Sequence, residues 1–285
     1  MTTTLAMNLA AVVETPGMDN APYLIDTDGA PYVPIGDGGV VLGLSIGDSV
    51  FGFDAEHASP AVSLVHGDQA ARHALTAFAC LGNPVTVRSG AAAGSVGAVL
   101  GKRGEEGRVL VAFSPAVRAK LLPGDAMAVR ALGQGSELPA ALGGGQLMNV
   151  DPALLGELGI DIGQNPIEVG VRGMVGSKLI GNGIGRPAQQ WNLDLQVDAS
   201  SAQRWGLEQL SIGDLLAVQN LDVRHNAGYR AGWTTVGVVL TTGSPRPGHG
   251  PALMPILCLP SDRVRCTVQA TDHSGVTAAT LGLAG

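Results

Sequence analysis

The chain has 285 residues, 45% of them hydrophobic, and a formal charge of −7. That length holds one large domain or two to three small ones, and the acidic balance disfavours nucleic acid or an anionic membrane as the main partner. No apolar run approaches the roughly 20 residues of a membrane span.

Glycine is abundant (42 residues) and aromatics make up 4%, so turns are many and the core is aliphatic. In chain order, GGVVLGLSI (38–46), PVTVRSG (84–90), GRVLVAF (107–113), DAMAVRAL (125–132), DLLAVQNLDV (214–223) and TTVGVVL (234–240) are short, β-branched and bounded by turn residues, as strands are. Two helices stand out. Asp68–Leu81 opens on an N-cap residue and sets Ala71, Ala74, Leu75 and Phe78 on one face; Asp151–Leu158 has Asp at the N-cap and Pro152 at the first helical position. A third, shorter helix is expected near Ser200–Leu210. One turn recurs, as LSIGDSV (44–50), LLPGDAMAV (121–129) and LSIGDLLAV (210–218), with Gly at the turn and an Asp able to bond its own backbone.

The predicted fold is therefore mainly β with a few short helices (α+β), built of several small barrel or sheet modules packed together. The expected division is an acidic N-terminal module with one helix (1–85), a small β barrel (86–135), a helical connector (136–165) and a C-terminal β module (166–285). The opening MTTTLAMNLAAVV lacks the charged start of a signal peptide. Cys80, Cys258 and Cys266 are too few and too odd in number for a disulfide framework, so a reduced cytoplasm is the expected compartment.

Charge is distributed unevenly. Glu14, Asp19, Asp26, Asp28, Asp37, Asp48, Asp54, Glu56 and Asp68 precede the first cation, Arg72, and all 17 Lys and Arg lie at or beyond it. Near that border Asp54, Glu56, His57, Ser59, Ser63, His66, Asp68, Arg72 and His73 form a polar knot. Carboxylates and imidazoles close together perturb one another's proton affinities, the chemistry of general acid–base catalysis.

Each residue also has an ordinary role. Asp68 reads as a helix cap with Arg72 its i,i+4 partner, or as a proton acceptor beside an anion clamp. Glu56–His57 reads as a loop at a strand end, or as a site. Cys80, seven residues after His73, is core rather than a nucleophile. The histidines His57, His66, His73, His225, His249 and His273 show no metal-binding spacing, so no metal site is assigned from motif alone. GNGIGR (181–186) lacks the phosphate-loop spacing and reads as a β turn. SGAAAGSVGAVLGKRGEEGRVLVAF (89–113) mixes its few basic residues with Glu105 and Glu106 and reads as a structural barrel. Pro247–Pro251 (PGHGP) holds His249 on a stiff loop, near a second polar group that includes Asp222, Arg224, His225, Tyr229 and Arg230.

The stretches GDSVFGFDAEHASPAVSL, FACLGN, GQG, NVDP and PGHGP, in this order, resemble a prokaryotic family classed as a domain of unknown function. Its fold is similar to that of bacterial Pictet–Spenglerases of the β-carboline-forming McbB type, which are homodimers that condense tryptophan or a relative with an aldehyde. Those enzymes use a Glu as acid–base group, with a His and an Arg upstream of it. Here His57 matches the histidine, Asp68 is the nearest downstream carboxylate, and no Arg precedes His57, which leaves Arg72 as the nearest clamp.

The resemblance implies a cofactor-independent, homodimeric cyclase acting on a tryptophan-like amine and an aldehyde. Asp68 would shuttle the proton with Glu56 in reserve, His57 would orient or relay, and Arg72 would hold an anion. Phe51, Phe53, Ser63, His225 and His249 complete the expected substrate contacts. Two other functions fit the residues: a non-catalytic small-molecule binding protein with pockets between the β modules, and a metal-dependent hydrolase using His57, His225 and His249.

Overall fold

A computed structural model describes residues 5–18, 21–104, 107–269 and 275–283. Asp19, Glu105, Glu106 and His273 lie outside them. The architecture is mainly β with a few short helices.

Six antiparallel strands close a barrel in the order Met7–Val13, Val62–Val65, Arg108–Ala112, Val96–Arg103, Pro84–Val87 and Ala126–Ala131. The barrel takes strands from both sides of residue 86, so it is not confined to 86–135 as expected. Closure requires the first strand: Met7–Val12 pairs in continuous register with Ala131–Ala126, and Val12 and Val13 then pair with Val65 and Leu64. The second body is a sheet in the order Gly173–Gly176, Leu215–Asp222, Gly228–Val239, Ala252–Pro260 and Leu193–Asp194, with Gln146–Leu147 added on Ala252–Pro260. A parallel ribbon of Ile167–Val171 and Val264–Val268 flanks it.

Period-2 alternation explains how the two bodies join. Val99, Val109 and Val111 face the barrel interior with Val62, Leu64 and Val129. Their neighbours Ala98, Leu100, Leu110 and Ala112 face outward into a shared core with Leu215, Ala217, Val236, Val238 and Met254 of the sheet. Leu216 and Val218 point to the opposite sheet face, against Leu193, Leu195 and Val239. Strands buried on both faces read as unbroken apolar runs, which is why RVLVA and LLAV carry no alternation.

The recurring turn repeats its chemistry. The side chains of Asp48, Asp125 and Asp214 accept from the backbone N–H of Ser45 (2.8 Å), Leu122 (2.9 Å) and Ser211 (2.8 Å). Gly47, Gly124 and Gly213 supply φ values of 97, 90 and 101° at the third turn position, which disfavours a side chain. Two copies also meet: the Ile212 amide donates to Asp48 O and the Gly47 amide to Ile212 O.

The helix Gln69–Phe78 follows Asp68, whose carboxylate caps the Ala71 amide. The expected helices at 151–158 and 200–210 shrink to a 3-10 turn Pro152–Leu154, capped by Asp151, and a short helix Ala202–Trp205. The connector 136–165 is thus mostly turns. GGVVLGLSI does not form a strand. Gly36, Gly38, Gly39 and Gly43 all have positive φ, which breaks a ladder, and Val40 alone bridges Val62. No helix among the described residues is long and apolar enough to cross a membrane.

Candidate functional site

The polar knot divides in two. One half builds the start of the helix Gln69–Phe78. His66 Nδ1 accepts from the Asp68 amide (3.0 Å), Asp68 Oδ1 accepts from the Ala71 amide, and Arg72 Nε donates to His66 O (2.8 Å) rather than to Asp68. Arg72 and His73 face a cavity of about 460 Å³ shared with Gln190 and Trp191. Ser63 stands buried in the barrel wall, opposite Leu110. Cys80 lies in the core beyond the helix end, where burial pushes its thiol up to about 11, so it is not the thiolate a nucleophile requires.

The other half, Glu56 and His57, turns inward. The segment is laced to the chain that follows Gly228–Val239: the His57 amide donates to Gly243 O (3.1 Å), the Ala58 amide to Thr242 Oγ1 (3.0 Å), and the Thr242 amide back to Ala58 O (2.8 Å). His57 adopts φ 46°; the other positive-φ residues described are Gly and Asn. Left-handed backbone at a buried histidine is strain held by its surroundings, a feature that concentrates at functional sites.

The same lacing brings up the PGHGP loop. The Asn182 amide donates to Gly248 O (3.0 Å) and the Leu195 amide to Pro251 O (3.0 Å). A Cβ at Gly250 would overlap the Leu195 carbonyl, and one at Gly181 the Gly248 carbonyl, so bare glycines let these segments approach. GNGIGR, expected as a turn, is one, and it pairs with Asp194: the Gly181 amide donates to Asp194 O and the Asp194 amide to Asn182 O.

Four acid–base side chains converge here. Glu56, His57 and His249 each offer a donor atom within 4.8 Å of the others. Asp194 Oδ2 lies 3.0 Å from His249 Nδ1 and 3.8 Å from His57 Nε2. All three of these atoms are buried without a hydrogen-bond partner among the described residues. The other oxygens are held: Asn192 Nδ2 donates to Asp194 Oδ1 (2.9 Å), and Tyr32 Oη and Ser244 Oγ donate to Glu56 Oε2 (2.8 Å each). Burial, with smaller contributions from Arg103 and His249, pushes His57 down to about 3 against the pull of Asp194, so its imidazole is neutral at physiological pH. Burial, then the Glu56 hydrogen bond, pushes the Tyr32 phenol up and keeps it a donor.

Imidazoles and carboxylates close together are the donor set of a divalent transition metal. Ligands at about 2.0–2.2 Å from zinc stand no more than roughly 4.4 Å apart. The Asp194 separations already fit that limit, and the 4.8 Å spread needs a closure of a few tenths of an ångström. His225 does not belong to the group. It lines a separate cavity with Asp222, Tyr229 and Arg230, so the expected His57–His225–His249 set becomes His57–His249 with carboxylates. Asp194 escaped sequence reading, although an acid between Leu193 and Leu195 with no cation nearby is itself a signal of a buried carboxylate.

Phe51 and Phe53 line a cavity of about 240 Å³ next to this group, with Asp54, Val197, Asp198 and Ser244.

The N-terminal model of a domain family of unknown function, DUF4438, matches residues 23–156, and the family's C-terminal model matches 157–274. The crystal structure of TM1086 is similar to this chain, with 30% identity over 95% of both chains and a TM-score of 0.89. No functionally curated protein matches.

Proposed function

We propose that this chain, which belongs to the DUF4438 family, is a divalent-metal-dependent hydrolase centred on His57, His249, Asp194 and Glu56. The observation that carries the reading is a trio of buried atoms that make no hydrogen bond among the described residues, with His249 Nδ1 and His57 Nε2 lying 3.0 and 3.8 Å from Asp194 Oδ2. Native proteins rarely leave such atoms unsatisfied, and each case calls for a water or an ion. A metal held by the three satisfies them together and lowers the pKa of a bound water.

Glu56 is then the base. Its Oε2 is fixed by Tyr32 and Ser244, an outer anchor of the kind that orients catalytic carboxylates. Glu56 takes a proton from the water as the water oxygen attacks an acyl carbon. It returns that proton to the leaving nitrogen or oxygen as the C–N or C–O bond breaks.

The test is hydrolysis of a panel of 4-nitrophenyl esters and aminoacyl 4-nitroanilides before and after chelation. Glu56→Gln is to retain metal and lose about 10²–10⁴ in rate. A rate unchanged by chelation, or a fully active Glu56→Gln, overturns the reading.

The cyclase implied by the resemblance draws its proton shuttle and clamp from Asp68 and Arg72. One feature supports it: Arg72 faces a cavity bounded by Trp191. It is the weaker reading, because Asp68 Oδ1 is already engaged in capping. Formation of a tetrahydro-β-carboline from tryptophan and an aldehyde would favour it.

A further inference from the structure

We propose that the cavity beside this centre binds the ammonium group of a small amine carried on an apolar or aromatic body, and that such an amine is the substrate class. The proposal rests on the reading of Glu56, His57, Asp194 and His249 as the reaction centre.

Position comes first. Ser244 lines the cavity and donates to Glu56 Oε2, and Gly243, also in the lining, accepts the His57 amide. One short segment therefore forms both the cavity wall and a support of the centre, so a molecule seated in the cavity lies against Ser244, the anchor of Glu56, while Glu56, His57, Asp194 and His249 are themselves outside the lining. At about 240 Å³ the cavity is smaller than the 300–1,000 Å³ of most ligand pockets, which limits the body to about one ring.

The lining then selects the chemistry. Phe51, Phe53, Val197 and Pro245 give it an apolar face, and its charged residues are Asp54 and Asp198. Arg246, the nearest cation in the sequence, is not part of the lining. Asp198 is fixed as an anion. Its Oδ1 accepts from Ser200 Oγ, Ser201 Oγ and the Ser201 amide, and these bonds, Ser201 Oγ foremost, hold the carboxyl below its usual range. The carboxylate so held is part of the cavity lining. An ammonium there meets two carboxylates beside two phenylalanine side chains, a combination that attracts cations. A carboxylate or phosphate would meet two like charges instead.

The experiment is calorimetric titration of the full-length protein, metal-free and zinc-loaded, with 2-phenylethylamine and its anionic counterpart 3-phenylpropionate. The amine is to bind at least about tenfold more tightly than the acid, with the preference reduced at high salt. Asp198→Asn keeps the Oδ1 acceptor that holds the 200–201 turn and is to weaken the amine about tenfold; Phe53→Ala is to weaken it similarly. Equal binding of the two probes, preference for the acid, binding of neither, or an Asp198→Asn variant with undiminished amine affinity overturns the proposal. Failure of the metal reading is separable: amine binding with no zinc uptake removes the centre and leaves the cavity assignment, whereas zinc uptake without amine binding does the reverse.

Discussion

His249 Nδ1 and Asp194 Oδ2 lie 3.0 Å apart, both buried, and neither makes a hydrogen bond among the described residues. Asp194 closes the short strand Leu193–Asp194 and His249 sits in the loop before Ala252–Pro260; they meet because Leu193 and Asp194 pair with Leu253 and Ala252, just beyond the PGHGP loop. Asn192 aims the carboxylate by bonding its other oxygen. Asn192→Ala is therefore predicted to weaken zinc affinity about 10–100-fold, the usual effect of removing an outer-sphere partner. Competition with a fluorescent chelator measures it.

Gly250 is the point at which the loop passes the Leu195 carbonyl with no room for a Cβ. Gly250→Ala is predicted to destabilise the fold by about 1–3 kcal/mol and to lower metal affinity by displacing His249. Thermal unfolding and metal titration of the variant check both effects.

Lys102 ties the barrel to the sheet body. It is fully buried, donates to Asn149 Oδ1 (3.0 Å) and Gln189 O (2.8 Å), and burial lowers its amine from 10.5 to about 8. Between those pH values the unfolded chain binds the proton and the folded chain releases it, so this group makes stability rise with pH across that window and adds no slope below it. The stability of wild type relative to Lys102→Met is predicted to increase by roughly 3 kcal/mol from pH 8 to 10.5. Urea unfolding of both proteins at the two pH values measures it, with the groups that do not couple to Lys102 cancelling in the difference.

Asp68 separates the two catalytic readings. As a cap it is worth about 1 kcal/mol, so Asp68→Ala is predicted to lower the melting temperature by a few degrees and leave metal content and hydrolysis unchanged. A loss of hydrolysis with metal retained would move the base from Glu56 to Asp68.

Local chemistry was legible in the sequence where the partners are local. The Asp68 cap, the Asp151–Pro152 helical turn and the three Gly–Asp turns all follow from residues within four positions of one another. The strands 84–87, 108–112 and 126–131 followed from β-branched runs. The barrel's closure by Met7–Val13 was not legible, because it depends on a pairing partner some 120 residues away. The site divides in the same way. Glu56, His57 and His249 stood out as polar residues in unusual settings, but their meeting depends on the register of Leu193–Asp194 against Ala252–Leu253 and on glycines that admit close backbone approach. His225 looked equivalent to His249 in sequence and is carried by strand geometry to another cavity.

The most direct measurement is the metal content of the wild-type protein purified without chelators, compared with His57→Ala and His249→Ala. About one equivalent of zinc or manganese is expected in the wild type, and in each variant a loss of most of it while circular dichroism stays native. A folded wild-type protein that neither carries metal nor takes up zinc or manganese on titration would contradict it.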